Sequence, residues 1–194
     1  YGNGLGPNLF KSNPDGSNIE VAVEDSDGSL NSFQVVNVPK KTACPPCRGF
    51  EVTICGTDEG ERIRGTSGPD VIHGMGGNDL ILGGAGGDII CGGDGDDYIN
   101  GNGALDLLDG GRGDDFIKGG TGNDRIYGGH GRDRILGQAG IDRIAGGAGN
   151  DRIYGGPGTD QIRGMGGHDY INGGGGSNDR CNGGIGNNQI RNCE

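Results

Sequence analysis

The sequence has no tryptophan, few aromatic residues and few hydrophobic ones, and these shortages limit the folds it can adopt. Hydrophobic residues make up 30% of the 194 residues and aromatic residues 5%, too little for the core of an ordinary globular domain. No run approaches the roughly 20 apolar residues of a membrane-spanning helix, so we expect no membrane span. The net charge of −11 argues against a nucleic-acid partner and favours cations.

Glycine, in contrast, is abundant and periodic. The chain has 49 glycines, a proportion that without periodicity would indicate disorder. A nine-residue unit, Gly-Gly-X-Gly-X-Asp-X-Ile-X, repeats twelve times without a gap over 65–172. The sixth position is aspartate in all twelve units, and the eighth is isoleucine in every unit except that of Leu108. Such regularity indicates a repeat architecture.

The repeat continues less regularly at both ends. Upstream, Glu61 takes the acidic place and Ile63 the apolar one, and we place the start of the series near residue 47. Downstream, one inserted residue in "GGGGSNDRCN" shifts the frame and gives Asp179, after which Asn188 and Ile190 end the series. Degenerate terminal units are typical of repeat proteins.

Each unit predicts a tight turn followed by a short strand. Glycine at positions one, two and four permits positive φ and close approach of chains, and positions seven to nine suit a three-residue strand with its middle side chain inward. Two units would close one turn of a flattened coil, with two parallel sheets facing each other across the isoleucines. The expected fold is therefore all-β, with about eight turns and a length of roughly 40 Å.

The aspartate columns need a counter-charge, because like charges stacked at strand spacing destabilise a sheet. Glycine-rich turns place backbone carbonyls beside each carboxylate, and Ca²⁺ prefers such a flexible all-oxygen set of ligands. Two other readings stay open, in which the aspartates cap their own turns or form a solvated acidic face. The residues we expect to bind Ca²⁺ are Asp70, Asp79, Asp88, Asp97, Asp106, Asp115, Asp124, Asp133, Asp142, Asp151, Asp160, Asp169 and Asp179.

The unit GGXGXDXUX, in which U is apolar, resembles the calcium-binding nonapeptide repeat of the RTX (repeats-in-toxin) family, over about 108 residues strictly and about 145 loosely. The resemblance implies a right-handed parallel β-roll. It also implies that several Ca²⁺ ions lie between turns, held by the aspartate of one unit and by carbonyls of that unit and of its neighbour one turn away. The cysteine-bearing ends are similar to those of secreted bacterial calcium-binding proteins.

Four units depart from the family pattern, and we do not expect regular sites there. Glu61 is longer than aspartate, Asn188 is uncharged, "GNGALDLLD" lacks glycine at its second and fourth positions, and "GQAGIDRIA" lacks it at the second. Because a glycine-rich chain of net charge −11 resists compaction, we expect it to be largely unfolded without Ca²⁺ and rigid with it.

The six cysteines, an even number, favour an oxidising, extracellular setting. Cys181 and Cys193 are close enough in sequence to bridge and cap the end of the roll. Cys55 and Cys91 lie two turns apart, about 9.6 Å in the stack, which exceeds the limit of about 7 Å for a bridge. We therefore expect each of them to pair with Cys44 or Cys47.

The segment 1–46 differs from the roll that we assign to 47–194. Alternating Ile19, Val21 and Val23, then "DSDGS" and a second apolar run containing Phe33, predict a β-hairpin after an extended arm. A lone hairpin is marginal in water and needs a surface. The outward seventh position of the roll offers one, since it is apolar in the first six strict units and arginine in the next four.

Three functions fit these features, none of them enzymatic, because His73, His130 and His168 share no spacing with possible catalytic partners. The first is a secreted structural protein that forms homo-oligomers or filaments through its N-terminal segment, which could instead fold back on its own chain. The second is a Ca²⁺-dependent adhesin or polysaccharide-binding module. The third is the repeat domain of a secreted toxin or hydrolase. The polysaccharide would contact exposed residues of the C-terminal half, including Arg152, Tyr154, Arg163 and Tyr170.

Overall fold

The computed structural model describes residues 44–194 in full and, of the preceding segment, the backbone of 10–12, 19–24 and 30–36. The chain forms two compact units, 1–43 and 44–194. In the described ranges there is no helix of the length and apolar character needed to cross a membrane.

The N-terminal unit contains an antiparallel sheet in the order β1-β2-β3, formed by Phe10–Ser12, Ile19–Glu24 and Leu30–Val36. Strands β2 and β3 form the predicted hairpin, and Ile19 pairs with Val36 at its open end. Strand β1 adds a third strand from the segment predicted to be an extended arm. The expectation that this unit covers a face of the roll lies outside the described residues.

The second unit is a β-roll of two parallel eight-stranded sheets, and successive strands alternate between them. The even sheet contains β4 Ile54–Cys55, β6 Val71–Gly76, β8 Ile89–Asp94, β10 Leu107–Arg112, β12 Arg125–His130, β14 Arg143–Ala148, β16 Gln161–Gly166 and β18 Arg180–Asn182. The odd sheet contains β5 Arg62–Arg64, β7 Leu80–Ala85, β9 Tyr98–Gly103, β11 Phe116–Thr121, β13 Arg134–Ala139, β15 Arg152–Gly158, β17 Tyr170–Gly176 and β19 Gln189–Arg191. The predicted all-β solenoid of about eight turns is confirmed.

Neighbouring strands within a sheet are offset by two units, so equivalent positions stack directly. Leu108, for example, pairs with Ile90 and Ile126, each 18 residues away. The single inserted residue before Asp179 changes this offset to 19, as the pairing of Gln161 with Arg180 shows, without interrupting either sheet. The insertion is therefore absorbed in a turn.

Most strands contain six residues, not the predicted three, because they continue through the first three positions of the next unit. The glycine at the first position is skipped in the pairing, as Gly110 is between Asp109 and Gly111. A Cβ at this position has no room: on Gly83 it would lie 2.9 Å from the carbonyl oxygen of Gly101. The first position therefore needs glycine for close packing of turns, and the turn itself is confined to positions four to six.

The core is a single column of isoleucines contributed alternately by the two sheets. From Ile72 to Ile171 the eighth-position side chains, including Leu108, are at most 3% exposed, and Ile63 closes the column at its first turns. Each fully buried isoleucine contributes roughly 2 kcal/mol through burial. At the opposite end Ile190, on the edge strand β19 of the odd sheet, is 45% exposed.

Three disulfides secure the two ends of the roll, as predicted. Cys181 pairs with Cys193 across the last turn, with Cα atoms 5.8 Å apart. The two pairings left open by the sequence are resolved as Cys44–Cys55 and Cys47–Cys91.

The bonds at the N-terminal end place the short segment 44–48 on the outer face of the even sheet, and we call it the strap. Arg48 of the strap forms an ion pair with Asp109 at 2.6 Å. The same guanidinium lies 3.9 Å from the centroid of the Tyr127 ring. The strap therefore reaches from β4 to β12, across five strands of the even sheet.

The turn geometry predicts the effect of a substitution at Ala104, which occupies a fourth position with φ of 80° where most units have glycine. The left-handed region costs an L-residue roughly 1–2 kcal/mol, and the greater freedom of glycine in the unfolded chain offsets part of this. We expect Ala104→Gly to raise the free energy of unfolding by up to about 1 kcal/mol, measured by urea denaturation at saturating Ca²⁺. Ala148→Gly, at a third position without positive φ, is the matched control and should be slightly destabilising. Equal effects of the two variants would contradict this account.

Candidate metal centre

The predicted aspartates form two buried columns, one along each edge of the roll where the turns lie. All thirteen are at most 7% exposed. The column before the even strands contains Asp70, Asp88, Asp106, Asp124, Asp142, Asp160 and Asp179. The column before the odd strands contains Asp79, Asp97, Asp115, Asp133, Asp151 and Asp169.

One oxygen of each carboxylate holds successive turns together. The backbone N–H of Asp70 donates to Oδ1 of Asp88 at 2.9 Å, and that of Asp97 donates to Oδ1 of Asp115 at the same distance. The pattern repeats along both columns, and at the C-terminal end Asn188 accepts from the N–H of Asp169 at 2.7 Å. These bonds fix the orientation of each side chain in its turn.

The second oxygen of most carboxylates has no partner. Among the residues described with side chains, eleven aspartates have a buried Oδ2 without a hydrogen bond, namely Asp79, Asp88, Asp97, Asp106, Asp115, Asp124, Asp133, Asp142, Asp151, Asp160 and Asp169. A desolvated carboxylate oxygen without a partner is strongly unfavourable. So regular an array indicates that a cation completes these positions.

The surroundings of Oδ2 fit a hard divalent cation. A Cβ built on Gly83 would lie 2.5 Å from Oδ2 of Asp88 and 2.9 Å from the carbonyl oxygen of Gly101, so the missing side chain leaves both oxygens room to converge. No group of three or more histidine, cysteine, aspartate or glutamate side chains that could hold a metal occurs in the described part of the chain. A metal at these turns therefore needs backbone carbonyls beside the carboxylates, which is the oxygen-only set that Ca²⁺ accepts.

Burial raises the pKa values of the ten column carboxyl groups from Asp79 to Asp160. Desolvation is the largest cause, and it is partly offset by the hydrogen bond from the preceding turn and reinforced by neighbouring carboxylates. The pKa reaches about 8 for Asp115 and about 7 for Asp106 and Asp151. At neutral pH the apo roll thus contains carboxyl groups whose charged form is disfavoured, and a bound cation would reverse this preference.

The irregular turns differ in detail. Oδ2 of Asp70 accepts from the N–H and the hydroxyl of Thr66, at 2.6 and 3.0 Å, which satisfies it without a metal. Oε2 of Glu61 accepts the N–H of Thr57 at 2.7 Å in the same manner. Asp106 and Asp142, whose units lack one or two glycines, nevertheless keep the unpaired Oδ2. The proposed alternative of turn capping therefore describes the first turns and not the central ones.

A second ladder, which was not predicted from the sequence, runs outside the aspartate column that precedes the odd strands. The N–H of Asp114 donates to Oδ1 of Asp96 at 2.8 Å, and the N–H of Arg132 donates in turn to Oδ1 of Asp114 at 2.7 Å. Asparagine serves equally well, as Asn150 does for the N–H of His168. This ladder could have been predicted from the recurrence of aspartate and asparagine at the fifth position of the unit.

Comparison with known proteins gives one family. The RTX calcium-binding nonapeptide repeat (4 copies) matches residues 56–90, 88–117, 109–144, 136–171, 146–178 and 158–190. The overlapping matches cover 56–190, from just after β4 to β19, and include all thirteen aspartates. No curated protein matches the chain.

The two oxygens of each aspartate have different roles, and a substitution can separate them. In Asp115→Asn the side-chain oxygen can still accept the N–H of Asp97, as Asn188 does for Asp169, but the charge at Oδ2 is lost. We expect fewer bound ions and a several-fold higher Ca²⁺ midpoint, measured by equilibrium dialysis and circular dichroism. Asp114→Asn, at the exposed neighbouring position, is the matched control and should leave both unchanged. A normal ion count in Asp115→Asn would contradict the assignment.

The raised pKa values also predict how metal-free protein responds to pH. The unfolded chain has aspartate pKa values near 3.9, whereas the folded values reach about 8 for Asp115. The folded state then binds more protons, so its stability is fullest below pH 4 and is lost as pH rises through the folded pKa values. We expect the β signal of dialysed, metal-free protein to increase from pH 8 to pH 5. With Ca²⁺ present the trend should reverse, since protons compete with the ions. A β signal without pH dependence in the metal-free protein would contradict the prediction.

Proposed function

Because the chain belongs to the RTX calcium-binding repeat family and binds several Ca²⁺ ions through its repeats, we propose that it is an extracellular structural protein. In this proposal Ca²⁺ makes the roll rigid, and rolls assemble through the N-terminal segment into filaments or a surface layer. The proposal that Ca²⁺ makes the roll rigid rests on the array of eleven unpaired carboxylate oxygens along the turns.

The ligands in this proposal are the thirteen aspartates together with backbone carbonyls of the glycine turns. The eleven central residues, from Asp79 to Asp169, present Oδ2 to the ion. Asp70 contributes less because Thr66 already satisfies its Oδ2, and Asp179 lies in the irregular turn with the inserted residue. Five or six ions would cancel the net charge of −11, so binding and folding are coupled.

Three disulfides support an extracellular location, because such bonds persist in oxidising compartments. Outside the cell Ca²⁺ is also abundant, so a roll that needs the ion would fold there and stay loose where the ion is scarce. The disulfides constrain only the two ends of the roll, which leaves the central turns dependent on the metal.

We propose a structural and not a catalytic role. The described surroundings of two histidines support this, because one ring nitrogen of each accepts a hydrogen bond from a backbone N–H group. Nδ1 of His73 accepts the N–H of Met75 at 3.0 Å, and Nδ1 of His168 accepts that of Asn187 at 2.9 Å. Burial lowers the pKa of His73, and the nearby Asp109 partly offsets this.

Self-assembly is supported by the apolar strips on the first half of the roll. The seventh-position side chains are half-buried in these strands and exposed where they become arginine. The strap lies over the even sheet. The odd strip, Leu80, Tyr98 and Phe116, is therefore the surface that we assign to the N-terminal unit of a second copy.

Polysaccharide binding is a second function, favoured by the residues of the C-terminal half. Arg152, Tyr154 and Tyr170 lie on the odd sheet, where the two tyrosine rings are 5.7 Å apart, whereas Arg163 lies on the even sheet. The residues that the sequence suggested for a glycan thus occupy opposite faces, and only one of the faces can form a given site.

The assembly proposal is tested on the full, disulfide-intact chain titrated from chelator into millimolar Ca²⁺. Light scattering and electron microscopy should show ordered polymers as the β signal appears in circular dichroism. Leu80→Ser should abolish the polymers and keep the Ca²⁺ midpoint, because Leu80 lies in the apolar strip. Leu136→Ser, a matched control on the same sheet beside the arginines, should still assemble. A wild-type chain that folds to a stable monomer would overturn the assembly proposal and leave calcium binding intact.

A further inference from the structure

The outer face of the even sheet becomes basic in its last four strands. Strands β12, β14, β16 and β18 each place one arginine on this face, and all four side chains are exposed. We call this surface the arginine face, and its members are Arg125, Arg143, Arg163 and Arg180. Since parallel strands are about 4.8 Å apart, the face presents one guanidinium per turn along the axis of the roll.

The outward positions of the sheet provide no counter-charge for these arginines, and the one carboxylate that lines a groove with two of them, Arg125 and Arg143, is the buried column residue Asp88. The other outward residues at the seventh and ninth positions of the four strands are Tyr127, Ala145, Gln161 and Asn182, none of them acidic. Within 44–194 the structure contains one ion pair, between Arg48 and Asp109, and it involves none of the four. Arg125 and Arg143 are direct neighbours in the register, an arrangement of like charges that weakens a sheet. In a chain of net charge −11, this cluster indicates an anionic ligand.

The odd sheet makes the contrast clear. Its arginines at the equivalent positions, Arg134 and Arg152, border a groove of ≈ 710 Å³ that is also lined by Asp114, Asp133 and Asp151. On that side Asp114 adds an exposed carboxylate beside the guanidinium groups, whereas the groove of Arg125 and Arg143 on the even side has only the buried column residue Asp88. The two faces have similar numbers of arginines but different local charge, so the odd face is a natural control for the even one.

The arginine face also has a shape that suits a linear ligand. Two adjoining troughs of ≈ 290 and ≈ 300 Å³ share Gln161 and Arg163, and together they extend from Tyr127 and Arg143 to Arg180. Glu194 is the one described carboxylate along them and lies at the far end. Guanidinium groups bind carboxylate or sulfate groups through paired hydrogen bonds, and the amides of Gln161 and Asn182 can bond to hydroxyl groups.

We propose that the arginine face binds a linear anionic polysaccharide, carboxylated or sulfated, that lies along the roll axis with its acidic groups on successive arginines. Single-stranded nucleic acid fits less well, because such sites use free aromatic rings for base stacking and the Tyr127 ring is already covered by Arg48 at 3.9 Å. The inference rests on the calcium-folded roll of the proposed function and is independent of its self-assembly.

The test measures binding of labelled oligosaccharides to the full, Ca²⁺-loaded chain by fluorescence anisotropy. The probes are an oligogalacturonate, a sulfated dextran oligomer, a neutral dextran oligomer and a single-stranded oligonucleotide. We expect binding of one or both anionic sugars and not of the neutral one. Arg143→Gln/Arg163→Gln should weaken it about tenfold or more, since a hydrogen bond to a charged group contributes about 1.5–3 kcal/mol. The matched variant Arg132→Gln/Arg134→Gln carries the same charge change beside the odd sheet and should retain affinity.

Circular dichroism during Ca²⁺ titration separates this inference from the proposed function, because both double variants should fold at the wild-type midpoint. Preference between the carboxylated and the sulfated probe identifies the acidic group. Equal loss in the two double variants would show that net charge, not the arginine face, drives binding, and would overturn the proposal. Failure of both anionic sugars to bind a folded chain, or tighter binding of the oligonucleotide, would overturn it as well.

Discussion

Each central turn of the roll is joined to the preceding turn by one oxygen of an aspartate, while the other oxygen of the same carboxylate has no partner among the described residues. This difference between the two carboxylate oxygens explains most features of the roll. The bonded oxygen requires that turns stack in a constant register, and the stacking requires glycine wherever a Cβ would meet the next turn. The unbonded oxygen makes the stack unfavourable until a cation is supplied. Structure and metal dependence thus come from the same side chain.

The narrow core has a corresponding consequence for stability. One isoleucine per unit is buried, and the remaining residues of the unit are mostly glycine or polar, so the hydrophobic contribution per residue is small while the entropy cost of ordering glycine is large. Backbone ladders and disulfides add order but do not neutralise the carboxylates. The roll is therefore a fold in which electrostatics, and not the hydrophobic effect alone, decides between the unfolded and the compact chain.

Much of this architecture could be predicted from the repeat. The columns of aspartate and isoleucine, the two sheets and the hairpin of Ile19–Glu24 with Leu30–Val36 follow from period and spacing. The bridge of Cys181 with Cys193 was also predicted, but the sequence left open which of Cys44 and Cys47 pairs with Cys55 and which with Cys91. Other features could not be predicted. The strands are longer than expected because the pairing skips a glycine such as Gly110, and the different bonding of Oδ1 and Oδ2 depends on atomic positions. The contacts of Arg48 with Asp109 and Tyr127 join distant parts of the chain, for which the repeat itself holds no signal.

The extra residue before Asp179 shows which parts of the roll can vary. Strands β16 and β18 pair in register although 19 residues, not 18, separate them, and Oδ1 of Asp179 still accepts the N–H of Asp160 at 2.8 Å. The stacking of turns is thus set by the strands and by the carboxylate, whereas the outer part of the turn can accommodate an additional residue. Insertions in the outer part of a turn need not disturb the aspartate column. A repeating scaffold of this kind can therefore gain loops for recognition during evolution while its folding still depends on the metal ion.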